Sequence, residues 1–491
     1  MRKHILLSVV SVFLLLFVCS CNLFEMKVVW EEDRDLSGFV LSTDGGSVDI
    51  FCAGKEGYNY RWYLDDALVC EDQTLTADPF AEPGLRHYTC RVTDSYDNVV
   101  EIRDYWLSYT GLPTVYINTK SGEKVSSRTE YVDADILIVS ETGLESLNSD
   151  CTVKGRGNSS WVDHAKKGMN IKLPSKSKVL GMKKSKKWSL LPNDSDGSML
   201  GNWFASYIGR NIFNSGSEWQ PQYRFVNLVV NGDYAGCYVI AESIRIEGNR
   251  VDIPDISELT ADPENDNNGD GKVDLYDGGF IMEFTFNGRG YTIGTKYGSD
   301  LSFKDPDLEE VEGSWSAKAI AEHVTKVVNT LEAALFGDIN ADYSDYLDVD
   351  SFIDWYLVNE FMGNWEAGFT TSTYFYFNPA DGKIHMGPNW DFDKTIGFES
   401  EKIVTGREHN YWFTQLAKDP AFVTALKARW NEKKTELEGC LSQLVSQNGV
   451  ISVAREMNAR RWNRNEGDYG EYLVQWFNGK LQWMDSYLNS L

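Results

Sequence analysis

Hydrophobic and polar positions change their period several times along the chain. Ile5 to Val18 is an uncharged apolar run of 14 residues behind Arg2 and Lys3. A membrane-spanning helix needs about 20 apolar residues, so the run reads as a signal peptide over residues 1–20. It ends in Val18-Cys19-Ser20-Cys21, where small residues precede a cysteine, and Cys21 is the expected lipidation site. From 25 to 112 the period is two. Ser47 to Cys52, Asn59 to Leu64 and His87 to Val92 alternate as short strands, with turns at Gly45-Gly46 and Asp65-Asp66. Leu112-Pro113 marks a boundary, and Val115 to Asn118 opens a second β-rich region that alternates strands and helical stretches to about residue 255.

Within that region, Met169, Ile171 and Leu173 share one face of a strand, while Asn170 and Lys172 share the other. Asp194 to Asn211 reads as a helix capped by Asp194 or Ser195, with Leu200, Phe204, Tyr207 and Ile208 apolar. Phe225 to Val230 and Tyr234 to Ile240 are strands joined by Asn231-Gly232, a strong hairpin signal. Ser351 to Met362 reads as an amphipathic helix, and Thr373 to Phe377 as a strand that turns at Asp381-Gly382. Residues 405–491 are expected to be mostly helical, with Leu416, Phe422, Leu426, Trp430, Trp476, Leu481, Trp483 and Tyr487 in the core.

Composition limits the function. A hydrophobic content of 42% suits packed cores, and the length of 491 residues suits two or three domains. A net charge of −26 argues against nucleic acid as a partner, since that requires a positive surface. Export makes disulfides chemically available without requiring them. The six histidines are scattered and show no zinc-ligand spacing.

Three places carry candidate chemistry. Val153 to Trp161 holds two glycines around Arg156, followed by Asn158 and serines; this is either a tight turn or a loop whose N–H groups approach an anion. Seven lysines follow closely (Lys166, Lys167, Lys172, Lys183, Lys184, Lys186 and Lys187), forming either a solvated run or a phosphate cradle. Farther on, Asp391 and Asp393 stand two residues apart at a strand end after Trp390, a plausible Mg²⁺ pair. Separately, Asp266, Asn268, Asp270, Asp274 and Asp277 occupy loop positions 1, 3, 5, 9 and 12 with Gly271 at 6, the spacing of a Ca²⁺ loop.

Two resemblances add to this reading. Cys52, Trp62, Tyr88 and Cys90 resemble the immunoglobulin-like sandwich, which implies a Cys52–Cys90 disulfide with Cys70 left over. A spacer is the favoured role for residues 25–112, ahead of ligand binding. Residues 113–491 resemble the CotH kinases. The landmarks run in order: Lys154-Gly-Arg-Gly-Asn-Ser-Ser-Trp161, Ile171-Lys172-Leu173, Lys187-Trp188, Val230-Asn-Gly-Asp-Tyr-Ala-Gly236, Gly278-Gly279-Phe280-Ile281, Phe352 to Glu360, Ser372 to Tyr376 and Trp390-Asp-Phe-Asp393.

The resemblance implies an α+β atypical protein-kinase-like domain with a helical C-terminal part. It implies transfer of phosphate from ATP, with Mg²⁺ or Mn²⁺, to protein hydroxyls. By the same resemblance Asp391 holds the metal with Asp393 beside it, Arg156 and Asn158 lie at the nucleotide, and Lys172 or Lys167 meets the phosphates. Glu242 holds that lysine, and Asn364 and Glu366 form the catalytic loop. The chain departs from the family at two places: Glu366 stands where aspartate is expected, and Gly201 where arginine precedes an asparagine. The alternative is a non-catalytic, lipid-anchored surface protein that binds glycan or protein.

Overall fold

The computed structural model describes residues 38–54, 56–140, 146–216, 218–259, 275–285, 290–311, 314–369, 371–397, 404, 411–464 and 467–491. Cys21 and the calcium-loop positions Asp266, Asn268, Asp270 and Asp274 lie outside these residues, while Asp277 ends a short 3-10 turn. The described chain divides into two compact units: residues 47–79 with 87–105, and residues 39–46, 80–86 and 106–491. The division differs from the boundary expected at Leu112-Pro113. Strand β1 (Phe39–Ser42) explains part of the difference: it pairs in parallel with Trp106–Tyr109, and Phe39 stacks on Tyr234 at 6.3 Å.

The first unit is built of short strands: β2 (Val48–Phe51), β3 (Asn59–Leu64), β4 (Ala67–Cys70), β5 (Thr74–Ala77) and most of β6 (Gly84–Thr93) and β7 (Val99–Tyr109). β2 pairs with β5, and β3 with β4 and β6, all antiparallel. Alternate residues point inward, so Ile50, Tyr60, Trp62, Leu75, Tyr88 and Val92 are buried. Trp62 lies opposite Cys90 in the register, and its indole donates to the Asp72 carbonyl at 2.9 Å. The expected disulfide is not formed. Cys52 and Cys90 meet as thiols, and the Cys90 hydrogen bond, followed by Tyr105 and Arg103, draws Cys52 down to about 7 against the opposing effect of burial. The Arg103 guanidinium stands 3.7 Å from the Cys52 sulfur.

In the second unit seven strands close a barrel. They are β8 (Thr114–Thr119), β9 (Val132–Val139), β10 (Leu147–Arg156), β11 (Gly168–Val179), β12 (Met182–Leu191), β13 (Tyr223–Val230) and β14 (Asp233–Glu242), arranged β10-β11-β12-β14-β13-β8-β9. The interior is filled by one residue in two along each strand, among them Ile117, Ile138, Val153, Ile171, Trp188 and Leu228. The alternation expected on β11 holds: Ile171 and Leu173 are each 1% exposed, and Lys172 is outside. The β13–β14 hairpin turns on Asn231 (φ 50°) and Gly232 (φ 83°), the left-handed pair that Asn-Gly accommodates. A five-residue helix, α1 (Ser159–Asp163), links β10 to β11. Helix α2 (Gly201–Asn211) links β12 to β13 and begins later than expected. Residues 194–200 form turns instead, because the buried Asp196 carboxylate gathers the N–H groups of Ser198 and Gly201 at 2.9 and 2.7 Å.

After a one-turn helix α3 (Ile256–Leu259), a second sheet forms in the order β16-β17-β15-β18-β19. Its strands are β15 (Phe280–Phe284), β16 (Thr292–Gly294), β17 (Asp300–Asp305), β18 (Thr373–Asn378) and β19 (Lys383–Met386). Helices α4 (Ser314–Leu335) and α5 (Val349–Met362) lie between β17 and β18. α5 is not amphipathic: every residue from Ser351 to Met362 is buried, as expected for a helix enclosed on all sides. Asp348 caps its start through Ser351 N–H at 2.8 Å, and Gly363 (φ 65°) ends it. The helical tail is as expected: α6 (Tyr411–Leu416), α7 (Pro420–Gly439), α8 (Leu441–Val450), α9 (Ser452–Trp462) and α10 (Gly470–Ser490). α9 docks on the barrel, with Asn458 accepting from Cys237 N–H at 3.2 Å and Arg461 donating to the Tyr234 carbonyl at 3.0 Å. Among the described residues, no helix is long and apolar enough to cross a membrane.

Candidate active site

A cavity of about 510 Å³ opens beside the barrel. β10 contributes Lys154 and Arg156, β11 Asn170, and β12 Lys187; Arg245 follows β14, and Lys304 lies on β17. These residues reach one space because alternate positions on adjacent strands share a face. Burial lowers the Lys187 ammonium, and Arg245 beside it adds to the effect. Burial also lowers Lys304; Glu283 opposes the shift and Arg156 reinforces it. Asp255, Asp305, Asp307 and Glu310 form the acidic wall, with Asp305 3.8 Å from Arg245. Five cations converging on a space of this volume suit a polyanionic ligand.

Trp390 closes one end of the cavity. The Arg156 guanidinium lies over its ring at 4.9 Å, and Tyr223 packs against it at 6.0 Å. Asp391 follows immediately. Asp391 (φ 66°), Ser372 (φ 54°) and Phe369 (φ 57°) all hold left-handed backbone without being glycine. Strain gathered at one place is commonly a mark of a functional site. The Ser372 hydroxyl donates to Asp391 Oδ2 at 3.0 Å, and Ser372 N–H donates to Glu283 Oε1 at 2.8 Å.

Glu366, Asp391 and Asp393 form a carboxylate cluster answered by one nearby cation, Lys394, 3.3 Å from Glu366. Burial raises Glu366 to about 7, and Asp391 pushes the same way. Burial raises Asp393 well above the ordinary range, followed by repulsion from Asp391 and Glu366. Glu366 and Asp393 are thus held above their ordinary values with Asp391 beside them, and a divalent cation among these carboxylates would relieve their repulsion. Asn364 accepts from Glu366 N–H at 3.1 Å and donates to Asn359 at 2.9 Å, which fixes the loop to α5. Asn202 of α2 accepts from Phe392 N–H at 2.8 Å and holds the segment after Asp391.

Several expected roles fall to other residues. Glu242 does not hold a lysine. It pairs with Arg250 at 2.8 Å, both side chains being within 1% of full burial, and Arg250 lies over Trp188 at 5.3 Å. Lys172 is exposed and does not line the cavity; its cross-strand partner Lys187 does. Lys167 is taken up by the Trp161 carbonyl, and Lys166 is buried between the carbonyls of Pro192 and Cys237 at 2.5 Å each. Lys183, Lys184 and Lys186 are solvated. Asn158 is exposed and outside the cavity. The glycines of the 153–161 segment serve packing: a Cβ on Gly155 would lie 2.3 Å from the Trp161 ring. Gly201 has a similar reason, since a Cβ there would lie 2.2 Å from the Phe392 carbonyl. No arginine fits at that position in this arrangement. Arg245, Lys304 and Glu283 have no local sequence signal; the sheet built on β15 and β17 brings them in.

The cationic cavity is lined by Trp390, and the carboxylates Asp391 and Asp393 follow it directly in the chain. The family model described as CotH kinase protein matches residues 153–490, more than half of the 491-residue chain. The chain belongs to the CotH kinase family. No curated protein matches it.

Proposed function

We propose that this chain is an atypical protein kinase that transfers the γ-phosphoryl group of ATP to a protein hydroxyl. The observation that carries the reading is the continuity from the cationic cavity, through Arg156 on Trp390, to Glu366, Asp391 and Asp393. Lys154, Lys187, Arg245 and Lys304 would bind the phosphates, with Arg156 nearest the transferred group. Asp391 and Asp393 would hold Mg²⁺ or Mn²⁺, which supplies neutralising charge on the phosphates when bound. Glu366, poised at about 7, accepts the proton of the acceptor hydroxyl. The acceptor oxygen bonds to the γ-phosphorus, the bond to the β–γ bridging oxygen breaks, and ADP leaves. Trp365 is 53% exposed next to Glu366 and offers the acceptor protein an apolar contact.

In this reading the chain works outside the cytoplasm, held to a membrane by lipid on Cys21. The first unit is an immunoglobulin-like spacer, and a Ca²⁺ loop spans Asp266 to Asp277. The pattern of residues 2–21 supports export.

The test is transfer from labelled ATP with Mn²⁺, to the protein itself or a generic acceptor, together with calorimetry of nucleotide binding. Wild type should bind, Asp391→Ala should lose metal-dependent binding, and Glu366→Gln should bind without transferring. A wild type that binds no nucleotide at millimolar concentration would end the kinase reading in favour of a non-catalytic binding protein.

A further inference from the structure

Away from the cleft, three segments bring together side chains that satisfy one another poorly. His385 on β19 is 7% exposed. Its Nε2 meets Asp381 Oδ2 at 2.8 Å, and its ring stacks on Tyr376 at 5.0 Å. Its Nδ1 has no hydrogen-bond partner among the described residues. Two carboxylates nonetheless face that nitrogen, Glu218 Oε1 at 3.6 Å and Asp348 Oδ1 at 3.9 Å. One ligand atom from each of the three lies within 4.8 Å of the others.

Those separations are too long for hydrogen bonds. They are close to what a cation needs. Tetrahedral ligands about 2.0–2.2 Å from a metal stand roughly 3.3–3.6 Å from one another. Two of the ligands are held in advance. Asp381 on Nε2 is the usual outer partner of a metal-bound imidazole, and a cation at Nδ1 would take the place of a proton there. Asp348 is fixed by capping α5. The Asp348 side chain is 28% exposed, which leaves an entry path and room for a water ligand.

We propose that Glu218, Asp348 and His385 form a site for a divalent transition-metal cation, with Zn²⁺ preferred, separate from Asp391 and Asp393. One imidazole with two carboxylates suits Zn²⁺, whereas Mg²⁺ and Ca²⁺ favour oxygen ligands alone. The cation clamps the loop before β13, the start of α5 and β19. α5 leads to Asn364 and Glu366, and β19 leads to Trp390 and Asp391. The clamp therefore fixes the relative placement of the two segments that carry the carboxylates, and its existence does not depend on the kinase reading.

The test uses the whole chain, stripped with EDTA and returned to buffer holding excess MgCl₂. ZnCl₂ is titrated by calorimetry and CoCl₂ by visible absorption. Wild type is expected to take up one equivalent at about micromolar affinity, with a Co²⁺ absorption band and a raised Tm. Asp348→Asn, which keeps a helix cap, and Glu218→Gln should each weaken binding about tenfold or more. His385→Gln should remove the Co²⁺ band, and Asp391→Ala should leave uptake intact. No uptake by wild type, or unchanged uptake in both carboxylate variants, overturns the proposal. Loss of the equivalent in Asp391→Ala overturns it as well, by placing the metal in the acidic cluster.

Discussion

Lys394 Nζ lies 3.3 Å from Glu366 Oε1, yet the Glu366 carboxyl stays at about 7. A lysine at that range would ordinarily hold a glutamate below its usual value. Here burial and the Asp391 charge outweigh it. The result is a carboxyl that changes charge near neutral pH, as a general base for a hydroxyl acceptor requires.

The same shift makes a stability prediction. The folded carboxyl, at about 7, lies above its ordinary value of 4.5. Between those values the unfolded chain releases a proton that the folded chain keeps. Stability therefore falls as pH rises through that window, and the penalty is complete above about 7. Glu366→Gln removes the penalty. It should raise stability by about 1–3 kcal/mol at alkaline pH and by little at pH near 4, while transfer falls roughly 100-fold or more. Thermal melts of both proteins across the pH range check this; a gain independent of pH would contradict it.

Gly201 gives the second prediction. A Cβ there meets the Phe392 carbonyl at 2.2 Å, Thr395 Oγ1 at 2.7 Å and Asp196 Oδ2 at 3.0 Å. Two of these three atoms belong to the segment just after Asp391. Gly201→Ala should cost about 2–4 kcal/mol and weaken metal-dependent nucleotide binding by displacing that segment. Gly201→Arg, which restores the residue expected in the family, should be worse rather than better. Denaturant melts and calorimetry decide, and an active Gly201→Arg protein would mean that this region repacks.

Glu242 and Arg250 give the third. Both are buried, and Arg250 Nη1 bonds Glu242 Oε1 at 2.8 Å. Glu242→Gln leaves a buried guanidinium without its counter-charge and should cost about 3–5 kcal/mol. The folded fraction should bind nucleotide as wild type does, because Glu242 touches no cavity cation. Separating Tm from affinity in one variant is the check; a specific loss of nucleotide affinity at unchanged Tm would restore Glu242 to the binding site.

What was legible in the sequence is what is local. The Asn231-Gly232 hairpin follows from two residues that accept positive φ, and the β11 alternation follows from the strand period. The Asp391/Asp393 pair and the Glu366 loop were expected from the resemblance, which orders them along the chain. Contacts set by how elements meet were not legible. The Glu242–Arg250 pair depends on the turn after β14. Lys304 and Glu283 depend on β15 and β17 facing the barrel, and His385 on β19 lying beside the start of α5. The enclosure of α5 was also hidden, because its polar residues Asp354, Asn359 and Glu360 suggest a wet face that tertiary partners cover. Asp354, for one, pairs with Arg429 at 2.8 Å.

The last prediction separates two lysines that are cross-strand partners. Lys172 on β11 and Lys187 on β12 stand opposite each other in the register, so their side chains leave the same face of the sheet. Only Lys187 lines the cavity, where burial and Arg245 lower its ammonium. A phosphate oxygen placed there would replace lost hydration and oppose both effects, so the contact should be strong. Lys172 is exposed, with the Tyr131 ring 6.0 Å away, and a phosphate contact in water is worth little. Lys187→Met should therefore weaken ATP binding about 10- to 100-fold, and Lys172→Met by less than about threefold. Arg156→Met should reduce transfer more than binding, because the Arg156 guanidinium sits on Trp390 beside Asp391. Calorimetry with an ATP analogue and Mn²⁺, followed by the transfer assay, measures all three. The reverse order for the two lysines would return the phosphates to Lys172 and require the barrel mouth, not the cavity, to be the nucleotide site.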